Sequence, residues 1–312
     1  MTVRIALALM VIVPAAMAYP WQTTTDHWIL GVAVSVVLVV FAWWRGLFVT
    51  TMVSRRLAVW RRNHGRSKPR SANRVTVLLR VDAPGGTPLP VSTIAGYVER
   101  FGIRCDKVRI TSRDEGGSRS TWVGVTLGAD ANLAALQARS AGIPLFDTAE
   151  VVGRRLADHL RETGIEVAVV DGMDTADVPL AARARERWRT VEDDRGSLAV
   201  HAITVDERLA ERLVAVWAHT APETWTSLEF SGTAARPTVT AVAAIRAAAS
   251  GVEGLDGVVA IAGGQRPVLD ALDPRSLDRL GIHPVPLTDG LLDGLRWQVS
   301  STKSTEAEQT RM

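Results

Sequence analysis

Trp28 to Trp44 is a run of 17 residues without a formal charge, and the residue that ends it is an arginine. Arg45, Arg55, Arg56, Arg61, Arg62, Arg66, Lys68, Arg70 and Arg74 follow, with no acidic residue from 45 to 74. A helix needs about 20 apolar residues to cross a bilayer. Lys and Arg collect on the cytoplasmic flank of such a span. The run therefore predicts a transmembrane helix over 28–53, followed by a basic juxtamembrane segment and linker over 54–74. Everything after Arg45 is expected in the cytoplasm.

A second apolar run, residues 3–18, reads two ways. It fits a short transmembrane helix within 1–21, with Pro14 tolerated near its outer end. It also fits a signal peptide, with Arg4 as the charged start and Ala16-Met17-Ala18 as the small-residue cleavage site. A single basic residue is a thin start, which favours the uncleaved helix. The connection Tyr19–His27 carries no Lys or Arg and lies outside in either reading. Five of the ten tryptophans, Trp21, Trp28, Trp43, Trp44 and Trp60, fall in this region. Amphipathic rings belong at the two headgroup levels. With Arg45, Arg55, Arg56, Arg61 and Arg62 they form the candidate membrane-anchor and interface residues. Leu47, Val53, Leu57 and Trp60 can share one helical face beside these arginines, as a plain positive flank or as a surface that docks a partner subunit.

The net charge is +3, less than the nine basic residues of 45–74 supply, so the rest of the chain is neutral to acidic. That argues against nucleic acid as the main partner. Cys105 is the one cysteine, which rules out an intrachain disulfide and a cysteine metal cluster and fits a reducing compartment.

A folded domain is expected over 75–300, as one body or as two halves, 75–171 and 196–300, with a disordered polar tail at 301–312. Val75–Val81 reads as a strand, Val91–Phe101 as a helix, Lys107–Thr111 as a strand, and Arg113–Arg119 as a hairpin turn. Ser120–Leu127 pairs back. Ala131–Ser140 and Asp147–Thr163 are helices, the latter with Asp147 and Glu150 spaced as a capping box, and Ile165–Val170 is a strand. The order β-α-β-β-α-α-β is that of a split βαβ unit. Strand 198–205, helix 206–219 and strands 224–231 and 238–246 repeat part of the pattern, as a less complete half packed on the first. Residues 247–264 and 281–295 show no clear period. Trp122, Trp188, Trp217 and Trp225 read as core residues.

Catalytic vocabulary is sparse. The sequence has no P-loop, no G-x-S-x-G and no H-E-x-x-H. His159 and His219 sit on helices without a second ligand at helical spacing. Asp171, Asp174 and Asp177 follow a strand end, and Glu192, Asp193 and Asp194 resemble the acidic motif that holds a metal and a nucleotide-sugar in glycosyltransferases. Both lie in charged connectors, where a solvated turn is the default reading. Cys105 is expected to be a buried, inert thiol. No catalytic, cofactor-binding or metal residue is assigned. A chain with strong packing elements and so little chemistry points to binding of other proteins.

Six segments carry a resemblance: Pro20–Val32 (PWQTTTDHWILGV), Ala42–Gly46 (AWWRG), Val75–Asp82 (VTVLLRVD), Tyr97–Gly117 (YVERFGIRCDKVRITSRDEGG), Asn132–Gly164 (NLAALQARSAGIPLFDTAEVVGRRLADHLRETG) and Glu223–Gly232 (ETWTSLEFSG). They resemble the EccE component of type VII (ESX) secretion systems, most like the branch of the third, iron-linked mycobacterial ESX system. The resemblance implies two N-terminal transmembrane helices, a multi-pass place in the inner (plasma) membrane, and a cytoplasmic N-terminus and C-terminal domain. It implies EccB, the ATPase EccC, EccD and membrane lipid as partners, with no cofactor, nucleic acid or small-molecule substrate. Export of WXG-type and PE/PPE protein pairs and siderophore-dependent iron acquisition would be the process served. The alternative is a membrane-anchored glycosyltransferase-like enzyme or a degenerate relative of one.

Overall fold

The computed structural model describes Met10, Val13 and residues 43–44, 47–48, 55–57, 59–60, 73–83, 86–140, 142–170, 178–181, 183–247 and 255–299. The chain divides into two compact units, Met1–Arg66 and Ser67–Met312.

In the first unit Met10, Val13 and residues 55–57 and 59–60 are helical. Trp43–Trp44 (β1) and Leu47–Phe48 (β2) pair antiparallel, Trp43 opposite Phe48. The rest of the two expected spans, the linker 61–72 and the tail 301–312 lie outside the described residues. Among the described residues no helix is long and apolar enough to cross a membrane.

The second unit is a mixed α/β domain built on one 12-stranded sheet in which every neighbouring pair is antiparallel. Its first half runs β3 (Arg74–Asp82), α1 (Val91–Ala95), β4 (Glu99–Arg100), β5 (Ile103–Glu115), β6 (Ser118–Gly128), α2 (Ala129–Arg139), α3 (Leu145–Glu162) and β7 (Glu166–Val169). Its spatial order is β7-β3-β6-β5. After the small hairpin β8 (Arg185–Glu186) and β9 (Val191–Asp193), the second half runs β10 (Gly196–Ile203), α4 (Leu209–Ala218), β11 (Glu223–Thr233), β12 (Arg236–Ala247) and β13 (Val258–Ala260). Here the order is β13-β10-β12-β11. Numbered within each half, both orders place the fourth strand beside the first, then the third, then the second. The split βαβ unit is therefore present twice. β5 pairs with β11 from Val108 to Glu115 and makes the two halves one sheet. The helix α5 (Gln265–Leu272) and β14 (Val285–Pro286), which pairs with β12, follow among the described residues.

The front face of the sheet carries α1, α3 and α4. Val77, Leu79, Val108, Ile110, Val123, Val125, Leu228 and Phe230 meet Val152, Leu156 and Leu160 of α3 and Leu209, Leu213 and Val216 of α4 in one apolar core. Each such leucine is worth roughly 1.5–3 kcal/mol when fully buried. The capping box expected in α3 does not form. The helix starts at Leu145 behind Pro144, has no side-chain cap, and Glu150 pairs instead with Arg154 at 2.6 Å. The helix predicted over 91–101 is cut short. α1 tightens into a 3-10 turn at Gly96–Val98, and Glu99 is extended because it pairs with Arg104. The turn predicted at 113–119 narrows to Gly116 and Gly117, both with positive φ, while the strands run on to either side.

Gly153 marks a close helix–sheet approach. A Cβ there would lie 2.6 Å from Cγ1 of Val77 in β3. Gly153→Val is expected to destabilise the domain by about 1–3 kcal/mol. Val77→Ala in the same chain should recover part of that loss in urea titrations. A neutral Gly153→Val would show that α3 can lift off the sheet freely.

Candidate functional site

The back face is polar at its centre, and a single irregularity makes it so. The register of β5 against β6 shifts between Cys105 and Lys107. A bulge adds one residue and turns the following side chains over. Cys105, Val108 and Ile110 thus share the front core, while Lys107 and Arg109 are delivered to the back. There Arg109 Nε donates to Glu229 Oε2 at 3.0 Å, and its other nitrogens reach the same oxygen at 2.5 Å, the carbonyl of Asp278 at 2.6 Å and the carbonyl of Ala271. Lys107 Nζ donates to the carbonyls of Ser276, at 2.7 Å, and Asp278. These carbonyls belong to α5 and the loop after it, so the two cations fasten that segment to the sheet.

A second group lies further along the same strands. Arg246 Nε donates to Glu223 Oε2 at 2.6 Å, and its Nη1 donates to Asp193 Oδ1 at 2.7 Å. The other oxygen of Glu223 takes Arg113 Nε at 2.8 Å and the Trp225 indole N–H at 3.0 Å. Asp193 also accepts the backbone N–H groups of Ala181 and Arg195. The side chains of Asp193, Glu223 and Arg246 are 0%, 2% and 6% exposed. Trp225 stacks on Trp122 with ring centroids 6.1 Å apart, and the Arg113 guanidinium lies 5.5 Å from the Trp225 ring centroid. Arg109–Glu229 and Arg113–Glu223 both cross from β5 to β11. The junction between the two halves is therefore cross-linked by buried charge. Buried pairs are weak evidence of net stability, and their best-attested use is fixing register.

Burial lowers the Lys107 amine to about 7, and the neighbouring Arg109 pushes the same way. Its unfolded value is about 10.4. Between those values the unfolded chain holds a proton that the folded chain lacks, so stability rises with pH across that window. Urea midpoints are expected to climb from neutral pH upward, and Lys107→Met should flatten the climb.

The structure places the sequence candidates as follows. Trp21, Trp28, Arg45, Arg61 and Arg62 lie outside the described residues, as do Asp171, Asp174 and Asp177. Trp43 and Trp44 form β1, Arg55 is half-buried, Arg56 is exposed and Trp60 is 59% exposed. Glu192, Asp193 and Asp194 do not make a metal cluster. Asp193 is committed to Arg246 and two backbone N–H groups, and Glu192 pairs with Arg187 at 2.9 Å. Among the described residues no group of three or more His, Cys, Asp or Glu is placed to hold a metal ion. Cys105 is buried, and burial followed by the charge of Asp106 pushes its thiol up to about 12, as expected of an inert thiol. Trp122 and Trp225 are core residues as read, and Trp188 and Trp217 are half-buried.

The charged seam escaped the sequence reading. Its signal is charge on one face of buried strands, Lys107, Arg109 and Arg113 in β5 and Glu223 and Glu229 in β11. Period-two charge inside a buried strand implies partners on a neighbouring strand.

The class defined is a duplicated, antiparallel α/β domain whose buried carboxylates are paired with arginine along the junction of its halves. Residues 116–235, from the β5–β6 turn to the β11–β12 turn, match the family model described as "type VII ESX secretion system translocon, EccE". The chain is 48% identical over 310 residues to the "ESX-3 secretion system protein EccE3" of Mycolicibacterium smegmatis, covering 98% of this chain and 99% of that one. It is 43% and 42% identical over 316 residues to the proteins of that name in two strains of Mycobacterium tuberculosis, covering 98% of this chain and 95% of each. The chain belongs to the EccE family, in its ESX-3 branch.

Proposed function

We propose that this chain is the EccE subunit of an ESX-3 type VII secretion complex and acts as a structural component without an enzymatic activity of its own. The observation that carries the reading is near-full-length identity of 48% to a protein so named. In this reading the apolar runs within 1–21 and 28–53 anchor the chain in the inner membrane. Trp21, Trp28, Trp43, Trp44 and Trp60 sit at the headgroup levels, and Arg45, Arg55, Arg56, Arg61 and Arg62 hold the following domain on the cytoplasmic side. EccB, EccC and EccD are its partners, and the assembly exports WXG-type and PE/PPE protein pairs in support of siderophore-dependent iron acquisition.

The test is purification of the tagged full chain from its native membrane in mild detergent. The other Ecc subunits are expected to come with it, and a chain that emerges alone overturns the reading. Changing Arg55, Arg56, Arg61 and Arg62 together to Glu is expected to lower membrane yield or partner recovery severalfold. Unchanged values of both would remove the basic flank from the account.

A further inference from the structure

One turn of the domain is built against its own stability. Arg100 of β4 pairs with Ile103 of β5, and the two residues between them, Phe101 and Gly102, have φ of 56° and 73°. Two left-handed residues in a two-residue hairpin are the geometry that selects Asn-Gly, Asp-Gly or Gly-Gly. An aromatic residue at the first position costs about 1–2 kcal/mol in backbone strain. The Phe101 side chain does not recover this by burial, because the residue is 54% exposed.

Phe101 is instead flanked by two cations. The Arg155 guanidinium, from α3, lies 4.7 Å from the ring centroid. That of Arg100 lies 5.2 Å from it and 5.0 Å from the ring of Tyr97. Tyr97 is a fixed floor, 2% exposed, with its hydroxyl donating to the carbonyl of Arg155 at 3.1 Å. Neither guanidinium has a carboxylate within ion-pair distance among the described residues. Their neighbours on α3 do: Arg154 pairs with Glu150 and Arg161 with Asp158. Stacking on rings orients a guanidinium and leaves its donor edge open. Together with His159, Asp158 and Glu162 these groups line a shallow, open cup of about 530 Å³.

We propose that this cup docks a segment of a partner protein that presents a carboxylate beside an apolar side chain, the acid meeting Arg100 and Arg155 and the apolar group meeting Phe101. Two open guanidinium forks suit a carboxylate in bidentate geometry. Arginine and large aromatic residues in one concavity are the composition of interface hot spots. A lipid surface fits less well, since a site for anionic headgroups gathers four to eight basic residues, and this one has two. The inference rests on the chain's membership in a membrane complex and names the place on the domain where a neighbour is held.

The test uses the tagged full chain in its native membrane, with three variants. Phe101→Asn suits the left-handed turn, so its thermal midpoint is expected to equal or exceed wild type while recovery of partner subunits falls at least tenfold. Arg100→Glu with Arg155→Glu is expected to lose partners to the same extent at unchanged midpoint. Arg154→Glu, one residue away but already paired, is expected to leave recovery within twofold. A photo-crosslinker at position 101 should link to a partner peptide containing Asp or Glu. Full recovery of partners by Phe101→Asn and by the double variant overturns the docking cup and leaves complex membership intact. A wild-type chain that emerges alone overturns both. A crosslinked peptide without an acid, or one from a second copy of this chain, also overturns the proposed occupant. So does a crosslink from position 101 to lipid rather than to protein, which would assign the cup to lipid.

Discussion

Replacing Arg246 by methionine is expected to remove about 3–5 kcal/mol from the stability of the α/β domain, because two buried carboxylates lose their shared cation. Glu223 and Asp193 both point at that guanidinium, from 2.6 and 2.7 Å. Burial pushes both carboxyls up, but the hydrogen bonds and charge of Arg246 outweigh it, and both end below their ordinary values. A carboxyl lowered on folding contributes stability that is complete above its unfolded value, near pH 4. That contribution is lost as pH falls through the lower folded value. Arg246→Met should therefore do most damage at neutral pH and least in acid, where both groups are neutral. Asp193→Asn and Glu223→Gln in the same chain should recover much of the loss. The measurement is denaturation of the full chain in detergent, followed by near-ultraviolet circular dichroism, to which the stacked Trp122–Trp225 pair contributes directly. A variant as stable as wild type at neutral pH would mean that water reaches the carboxylates.

Trp297→Ala is the second large effect. The residue is 0% exposed although it lies near the carboxyl end. Its indole N–H donates to Ser112 Oγ at 2.8 Å, its ring meets Trp217 edge-on at 5.2 Å, and its carbonyl accepts the Leu89 N–H at 2.9 Å. Removing so large a buried ring costs about 3–5 kcal/mol. In a domain of this size that is a fall of about 6–20 °C in the thermal midpoint. Trp297→Phe should lose far less, since it refills most of the space and gives up only the bond to Ser112. Equal losses in the two variants would place the cost in that hydrogen bond rather than in packing.

The elements that were legible in the sequence carry their own signal. The buried stripe Val152, Leu156 and Leu160 of α3 repeats every four residues, and Gly164, with φ of 84°, ends it where a glycine should. Strands β6, β10, β11 and β12 and helix α4 announced themselves by period in the same way. What stayed hidden depends on distant partners. Helix α5 has only two turns, and Leu269 and Leu272 are buried against back-face residues such as Leu198 and Val242 that lie far away in the chain. The segment that ends at Trp297 has no period because its one strand, β14, is two residues long and pairs with the distant β12. Asp193 was read as a solvated acid because nothing nearby in sequence foretells Arg246. The edge-on union of the halves is a property of pairing between β5 and β11, which no local pattern encodes.

That union sets a timetable for synthesis. At 5–20 residues per second β5 emerges about 5–20 s before β11. Throughout that interval a strand of 13 residues has no neighbour on one side. Bare edges of this length recruit other chains, and positive side chains on them are a recognised deterrent. Arg109 and Arg113 are already on this strand, so the cations that later fasten it to β11 can first act as its sentries.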